Sequence, residues 1–109
     1  MSDQEPLDLM RTLLDRNAQP GDRADAARRL AKWHTRAVLH ALLQVAQEDD
    51  ADESVGRAAG ESVAKVLIRR GELDQEPLFD FGQAAYIGYD EVVAHHLRSI
   101  SQCLPAGDT

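Results

Sequence analysis

The sequence predicts an all-α fold, a short α-solenoid of about three antiparallel helical hairpins, the third of them degenerate. The main indication is a near-repeat, because the segment LAKW at 30–33 recurs as VAKV at 63–66. A period of about 33 residues is typical of stacked helical units, each of which covers the apolar face of its neighbour. Aromatic residues make up only 5% of the chain, and no long run of alternating β-branched residues occurs. Both observations favour closely packed helices over a sheet.

The first predicted unit contains two helices separated by a Pro-Gly turn. Its first helix runs from about Glu5 to Arg16 and turns Leu9 and Leu13 inward. Asp22 follows the turn and is expected to cap the second helix. The apolar residues of the second helix are expected to be buried: Ala26, Ala27, Leu30 and Trp33. Its cations are expected on the solvent side: Arg28, Arg29 and Lys32.

The second predicted unit contains the third and fourth helices. The third helix runs from about Thr35 to Gln47 and has so broad an apolar face that neighbours are expected on two sides. Asp50 followed by Glu53 resembles a capping box for the fourth helix. Gly71 follows two arginines, which is the cation-then-glycine signature of a helix end. The predicted core stripe of the fourth helix is Val55, Ala58, Ala59, Ser62, Val63, Val66 and Leu67.

The remaining residues predict a less regular third unit. A helical segment of one or two turns is expected from Asp74 to Phe81, and a last helix from about Gln83 to Gln102. The apolar residues of the last helix that are expected to face the core are Tyr86, Val93, Leu97 and Ile100. Residues 1–109 are expected to form one domain, with frayed tails at 1–4 and 104–109.

Segments 22–33 and 52–67 resemble the second helices of HEAT-type repeats. The family pattern has an acidic turn, a valine and an arginine early in the helix, then an alanine pair and a spaced leucine. DESVGRAA at 52–59, followed by Val63, is similar to this pattern, although its arginine lies one place later and it contains glycine. Segment 22–33 matches more loosely, since no valine precedes its arginine. The resemblance implies stacked helical hairpins and hardly limits the function.

A narrower likeness is carried by AAGESVAKV at 58–66 and RRG at 69–71. These segments resemble a stretch of small bacterial HEAT-like proteins, some of which look like immunity proteins of contact-dependent or other polymorphic toxin systems. This resemblance implies a cytoplasmic protein that binds one cognate toxin domain, in a 1:1 complex, and blocks it. It implies no particular contact residues.

The net charge of −7 is unevenly distributed along the chain. Residues 1–47 contain seven Lys and Arg against six Asp and Glu, whereas residues 48–109 contain five against thirteen, a balance of −8. An acidic field repels nucleic acid and speeds encounter with a basic protein domain. We therefore expect a basic partner and no nucleic acid. The alternative is that the acidity serves solubility alone.

The expected location is the cytoplasm. Cys103 is the only cysteine, so no internal disulfide can form, which fits a reducing compartment. The first residues lack the apolar run of a signal peptide, and no stretch approaches the ~20 apolar residues of a membrane span. We expect no membrane contact.

Two groups of side chains are candidates for partner binding. Five carboxylates lie within six residues, more than helix capping requires: Glu48, Asp49, Asp50, Asp52 and Glu53. Their mutual repulsion would be relieved by a cationic partner, and the alternative is an ordinary solvated loop. Two tyrosines and two carboxylates form the second group: Tyr86, Tyr89, Asp90 and Glu91. Tyr86 is expected in the core and Tyr89 at its rim. Plain packing is the alternative for this group.

Glu61 is a further candidate contact, placed four residues from both Arg57 and Lys65. The competing interpretation is an ion-pair ladder on the helix surface, worth roughly 0.2–0.5 kcal/mol per pair. The preceding residue, Gly60, is unusual within a helix and is interpreted as a point of close helix approach. The alternative is that it gives access to a loop of a partner.

No cofactor or metal is expected. The four histidines lack the i and i+4 spacing of zinc-binding helices, and no phosphate loop or nucleophile motif occurs. We expect a binding protein rather than an enzyme, namely an inhibitor that covers the active site of a basic, nuclease-type toxin. The alternatives are a HEAT-like scaffold or regulatory subunit that binds a cellular protein, and a HEAT-like nucleic-acid glycosylase, which the acidity disfavours.

Overall fold

A computed structural model describes residues 4–33, 35–48, 52–71 and 81–103. All regular secondary structure in these ranges is helical, which confirms the all-α prediction. The helices are α1 (Gln4–Leu14), α2 (Pro20–Leu30), α3 (Arg36–Ala46), α4 (Glu53–Arg70) and α5 (Gln83–Cys103). The short helical segment predicted from Asp74 lies outside the described residues, except for its last residue, Phe81.

The start of α2 differs from the prediction. Gln19 occupies the N-cap position and Pro20 is the first helical residue, so Asp22 lies within the first turn and does not cap the helix. Proline is favoured at this first position because its fixed φ suits a helix. Its lack of an N–H costs nothing there, since an N–H at this position would have no partner within the helix. The other end of α2 is also earlier than predicted. Trp33 lies beyond the helix and is half-buried. Its backbone N–H donates to the Leu30 carbonyl at 3.0 Å.

Side-chain caps begin α3 and α4. The Thr35 hydroxyl accepts from the Val38 N–H at 3.3 Å, so α3 begins and ends within one residue of the prediction. The Asp52 carboxylate caps α4 by accepting from the Ser54 N–H at 2.9 Å. The predicted capping box of Asp50 and Glu53 is therefore wrong, because Glu53 is already the first residue of the helix. A carboxylate directly before the helix reaches its free N–H groups better than one two residues earlier.

The end of α4 and its buried stripe are confirmed. Gly71 adopts φ of 70°, the left-handed conformation that glycine takes most easily at a helix end. The seven residues of the predicted stripe are all buried. Among them, Ser62 donates its hydroxyl to the Ala27 carbonyl at 2.6 Å, which joins α4 to α2 and satisfies a buried polar group.

The core lies where α4 meets its neighbours. α4 contacts α2, α3 and α5, while α1 contacts α2 and α3. Each buried leucine or valine contributes about 1.5–3 kcal/mol relative to its exposed state. The largest apolar side chains that are fully buried are Leu13, Leu30, Leu42, Val38, Val45, Val55, Val63 and Val66.

The inward face of α5 was predicted wrongly. Tyr86 and Leu97 were expected in the core but are 61% and 56% exposed, and Val93 is only half-buried. The Ile100 side chain lies outside the described part of the chain. Ala85 and Gly88 are buried instead. The helix turns its smallest residues inward because the surface it meets on α4 is itself lined with glycine.

Glycine on both helices allows α4 and α5 to approach backbone to backbone. A Cβ atom built on Gly60 would overlap the carbonyl oxygen of Ala85, and one built on Gly88 would overlap the carbonyl oxygen of Arg57. A Cβ on Gly56 would lie 3.3 Å from that of Ala84. The interpretation of Gly60 as a point of close helix approach is confirmed. We call this contact the glycine crossing.

Gly60→Ala should separate the helices at the glycine crossing. The added methyl group has no room beside the Ala85 backbone, so we expect the free energy of unfolding to fall by about 2–3 kcal/mol, despite alanine's higher helix propensity. Urea denaturation at 25 °C measures this change.

The matched control is Gly21→Ala in α2. An added Cβ there would meet nothing within 4 Å. The same substitution should therefore raise stability by up to about 1 kcal/mol. Equal effects of the two substitutions would contradict the steric explanation of the crossing.

Candidate binding surface

A cleft opens where the start of α5 meets α3 and α4. The Gly82 N–H donates to the Ala46 carbonyl at 3.0 Å, which fixes the entry of α5 against the end of α3. The cleft has a volume of about 380 Å³ and combines small residues with two carboxylates and one exposed isoleucine. We call it the acidic cleft. It is lined by Glu48, Glu53, Gly56, Gly82, Gln83, Ala84, Ala85 and Ile87.

Glu48, predicted as a partner contact, forms an internal ion-pair network. Its carboxylate lies 3.5 Å from Arg16 Nη2 and 3.7 Å from Arg23 Nη2, and only 17% of its side chain is exposed. Arg23 is buried and donates through Nε to the Leu13 carbonyl at 2.8 Å. The network ties α1 and α2 to the end of α3. It leaves little of Glu48 for a partner, although the residue forms one wall of the acidic cleft.

Arg57 gathers three carboxylates on the exposed side of the glycine crossing. Its Nη2 lies 2.7 Å from both carboxylate oxygens of Glu91 on α5. Its Nε lies 3.7 Å from Glu61, and Glu53 adds a further electrostatic attraction. The hydrogen bond to Glu91, followed by these charges, raises the pKa of Arg57. We call these four residues the Arg57 cluster, in which three negative charges face one positive charge.

The candidate residue Glu61 thus has an intramolecular partner. Of the two predicted ladder contacts, the structure places the pair with Arg57 within ion-pair distance, and the described residues include no such pair with Lys65. The Glu61 side chain is half-buried and passes over Gly88. Its charge remains at the surface beside that of Glu91.

Asp52 and Glu53 are both exposed at the beginning of α4. The Asp52 carboxylate accepts from the Ser54 hydroxyl at 2.7 Å as well as from its N–H. These hydrogen bonds lower the pKa of Asp52 below its usual value of 3.8. Asp49 and Asp50, which completed the predicted acidic group, lie outside the described residues.

The prediction was wrong for Tyr86, which is 61% exposed, whereas Tyr89 lies at the rim of the core as predicted. Tyr89 is half-buried, and its ring centroid lies 5.2 Å from that of Phe81, so it packs at the edge of the core. Tyr86 is exposed and lies next to Ile87, which is 42% exposed. Asp90 is exposed and precedes Glu91 of the Arg57 cluster. Of these side chains of α5, that of Ile87 lines the acidic cleft.

Sequence reasoning missed a second, basic surface between α2 and α4. A groove of about 470 Å³ is lined by Arg28, Arg29, Ala31, Lys32, Lys65, Ile68 and Arg69. We call it the basic groove. The signal was present in the near-repeat, which aligns Lys32 with Lys65, but each cation was interpreted as part of a separate solvated face. Packing of α2 on α4 brings them together.

The described ranges contain no group of three or more His, Cys, Asp or Glu side chains placed to hold a metal ion. None of the helices in these ranges has the length and apolar character needed to cross a membrane.

Comparisons with protein-family models, with curated proteins and with solved structures find no match to this chain. The acidic cleft, the Arg57 cluster and the basic groove are therefore the observations from which a function is inferred.

Glu48→Gln should test the internal role of this carboxylate. The substitution keeps the side-chain size but leaves the Arg23 guanidinium, 7% exposed, without its counter-charge. We expect the free energy of unfolding to fall by about 2–3 kcal/mol in urea denaturation. Glu53→Gln makes the same chemical change on an exposed residue and should alter stability by less than about 0.5 kcal/mol. Equal losses would show that Glu48 has no special structural role.

Asp52 should make stability depend on pH in a defined direction. Because its folded-state pKa is below 3.8, its contribution is complete above that value and is lost as pH falls through the lower folded-state pKa. Asp52→Asn keeps a capping oxygen but cannot titrate. The stability advantage of the unsubstituted protein over this variant should therefore shrink as acid is added, in urea denaturation at a series of pH values. An advantage that is constant or grows in acid would contradict the assignment.

Proposed function

We propose that this protein is a cytoplasmic protein-binding inhibitor, an immunity protein that neutralises a cognate toxin domain by covering its basic active-site cleft. The observation that carries the proposal is the position of Glu53, which lines the acidic cleft and also lines, together with Arg57, a depression at the start of α4. An accessible cleft that combines carboxylates with exposed apolar surface is complementary to a basic surface of a protein partner.

Helix contacts support a HEAT-like arrangement behind this surface. α1 contacts α2 and α3 contacts α4, as the helices of hairpins do, while α1 also contacts α3 and α2 contacts α4, as stacked units do. The first copy of the sequence near-repeat begins at the last residue of α2 and continues just beyond it, and the second copy lies within α4. In such an arrangement α2 and α4 would be equivalent helices. α5 packs on α4, a contact that supports its assignment to a degenerate third unit.

The acidic cleft suits the insertion of a cationic side chain from the partner. Its small residues leave room for a lysine or arginine stem, and Glu53 supplies the counter-charge at its edge. Ile87, which is 42% exposed, provides apolar contact area in the lining of the cleft. Inhibition then follows from steric exclusion of the toxin's substrate, while the net charge of −7 accelerates capture.

The test co-expresses this chain with the product of the neighbouring gene, which the proposal expects to contain a toxin domain, and purifies the two together. We expect a 1:1 complex in analytical ultracentrifugation and loss of toxin activity on binding. In stopped-flow measurements, the association rate should fall as NaCl is raised from about 50 to about 300 mM, because salt screens the attraction.

Glu53→Lys should lower that association rate by about three- to tenfold. Asp22→Lys is the matched control, since Asp22 is also an exposed acid in the first turn of a helix but lies on α2. The control should change the rate by less than about twofold. Absence of association with the toxin domain, or equal losses in both variants, would overturn the proposed function. A stable complex with a non-toxin gene product would instead favour the scaffold alternative.

A further inference from the structure

The basic groove has features that helix stability alone does not explain. Cations near the end of a helix are favoured by its dipole, which accounts for Arg28 and Arg29 in α2 and for Arg69 in α4. Lys65 lies more than a turn before the end of α4, yet it lines the same groove. Ala31 and Ile68 contribute apolar surface between the charges. The groove therefore combines positive charge from two helices with an apolar lining.

Three of the five cations in the groove are available to a ligand. The Arg29 Nε lies 2.9 Å from Asp25, and the Lys32 ammonium lies 4.6 Å from the centre of the Trp33 ring. Arg28, Lys65 and Arg69 form no ion pair within the described part of the chain. Like charges on neighbouring helices repel each other, and an anionic ligand would relieve that repulsion.

We propose that the basic groove binds an acidic segment of a partner polypeptide. Carboxylates of the segment pair with Arg28, Lys65 and Arg69, and one of its apolar side chains packs on Ala31 and Ile68. The groove, at about 470 Å³, has room for a few residues of an extended peptide. Its lining shares no residue with the acidic cleft, so this site goes beyond the proposed function and does not depend on it.

Two observations favour a short acidic peptide over nucleic acid. The chain carries a net charge of −7, which at long range repels a polyanion as highly charged as nucleic acid more strongly than a short segment with a few carboxylates. In addition, Arg28 borders a second depression that is lined by Asp52 and Glu53. A phosphate backbone that continued past Arg28 would meet these carboxylates, whereas a peptide of a few residues ends before them.

Fluorescence anisotropy with a labelled peptide of about five glutamate and leucine residues tests the proposal. We expect saturable binding that weakens with added salt. The triple variant R28Q/K65Q/R69Q should bind the peptide at least about tenfold more weakly. The control R11Q/R36Q/R98Q removes three exposed arginines elsewhere and should bind within about twofold of the unsubstituted protein. A glutamine–leucine peptide of equal length should not bind.

Several outcomes would overturn the proposal. One is the absence of saturable binding by the glutamate–leucine peptide, and another is an equal loss of binding in the two triple variants. Tighter binding of a thymidine oligonucleotide of similar length would assign the groove to nucleic acid. Concentration-dependent self-association that R28Q/K65Q/R69Q abolishes, measured by analytical ultracentrifugation, would assign it to a second copy of this chain. Circular dichroism of both variants verifies that they remain folded.

Discussion

The backbone contact between α4 and α5 determines the position of most surface features near the acidic cleft. Gly60 and Gly88 have no Cβ that would hold the helices apart, so Ala85 lies directly against α4. With Ala85 inward, the next two residues of α5 point outward as an exposed aromatic and an exposed aliphatic side chain. The same approach brings Glu91 within 2.7 Å of Arg57. Packing of the smallest residues thus creates both the cleft and its charged border.

The charges of α4 follow the direction of the helix. Asp52 and Glu53 stand at its beginning, where the helix dipole favours negative charge, and two arginines stand at its end, where it favours positive charge. This arrangement stabilises the helix and also separates the acidic cleft from the basic groove. The distribution of charge along α4, which stabilises the helix, therefore also produces the separation of negative from positive surface on which both binding proposals depend.

Local signals in the sequence predicted α3, the buried stripe of α4 and the turn at Gly71, because periodicity and caps involve residues close in the chain. The face of α5 could not be predicted in this way. Ranking the residues of α5 by size placed Tyr86 in the core. In the structure, the glycines of α4 determine which face of α5 is buried, because they allow its backbone to approach closely. The ion pairs of Glu48 could not be predicted either, because its partners Arg16 and Arg23 are distant in sequence and its neighbours in the chain are acidic.

The two proposed sites would together give a partner one orientation. A uniformly acidic surface attracts a basic domain but allows it to rotate, because screened charges discriminate weakly between similar poses. A basic groove at a fixed position adds an attraction for acidic segments and a penalty for misplaced basic ones. Net charge would then determine the rate of encounter, whereas the groove would select among the encounter complexes. The cations of the groove, although acidic residues outnumber basic ones in the chain, would then contribute more to the specificity of binding than to its affinity.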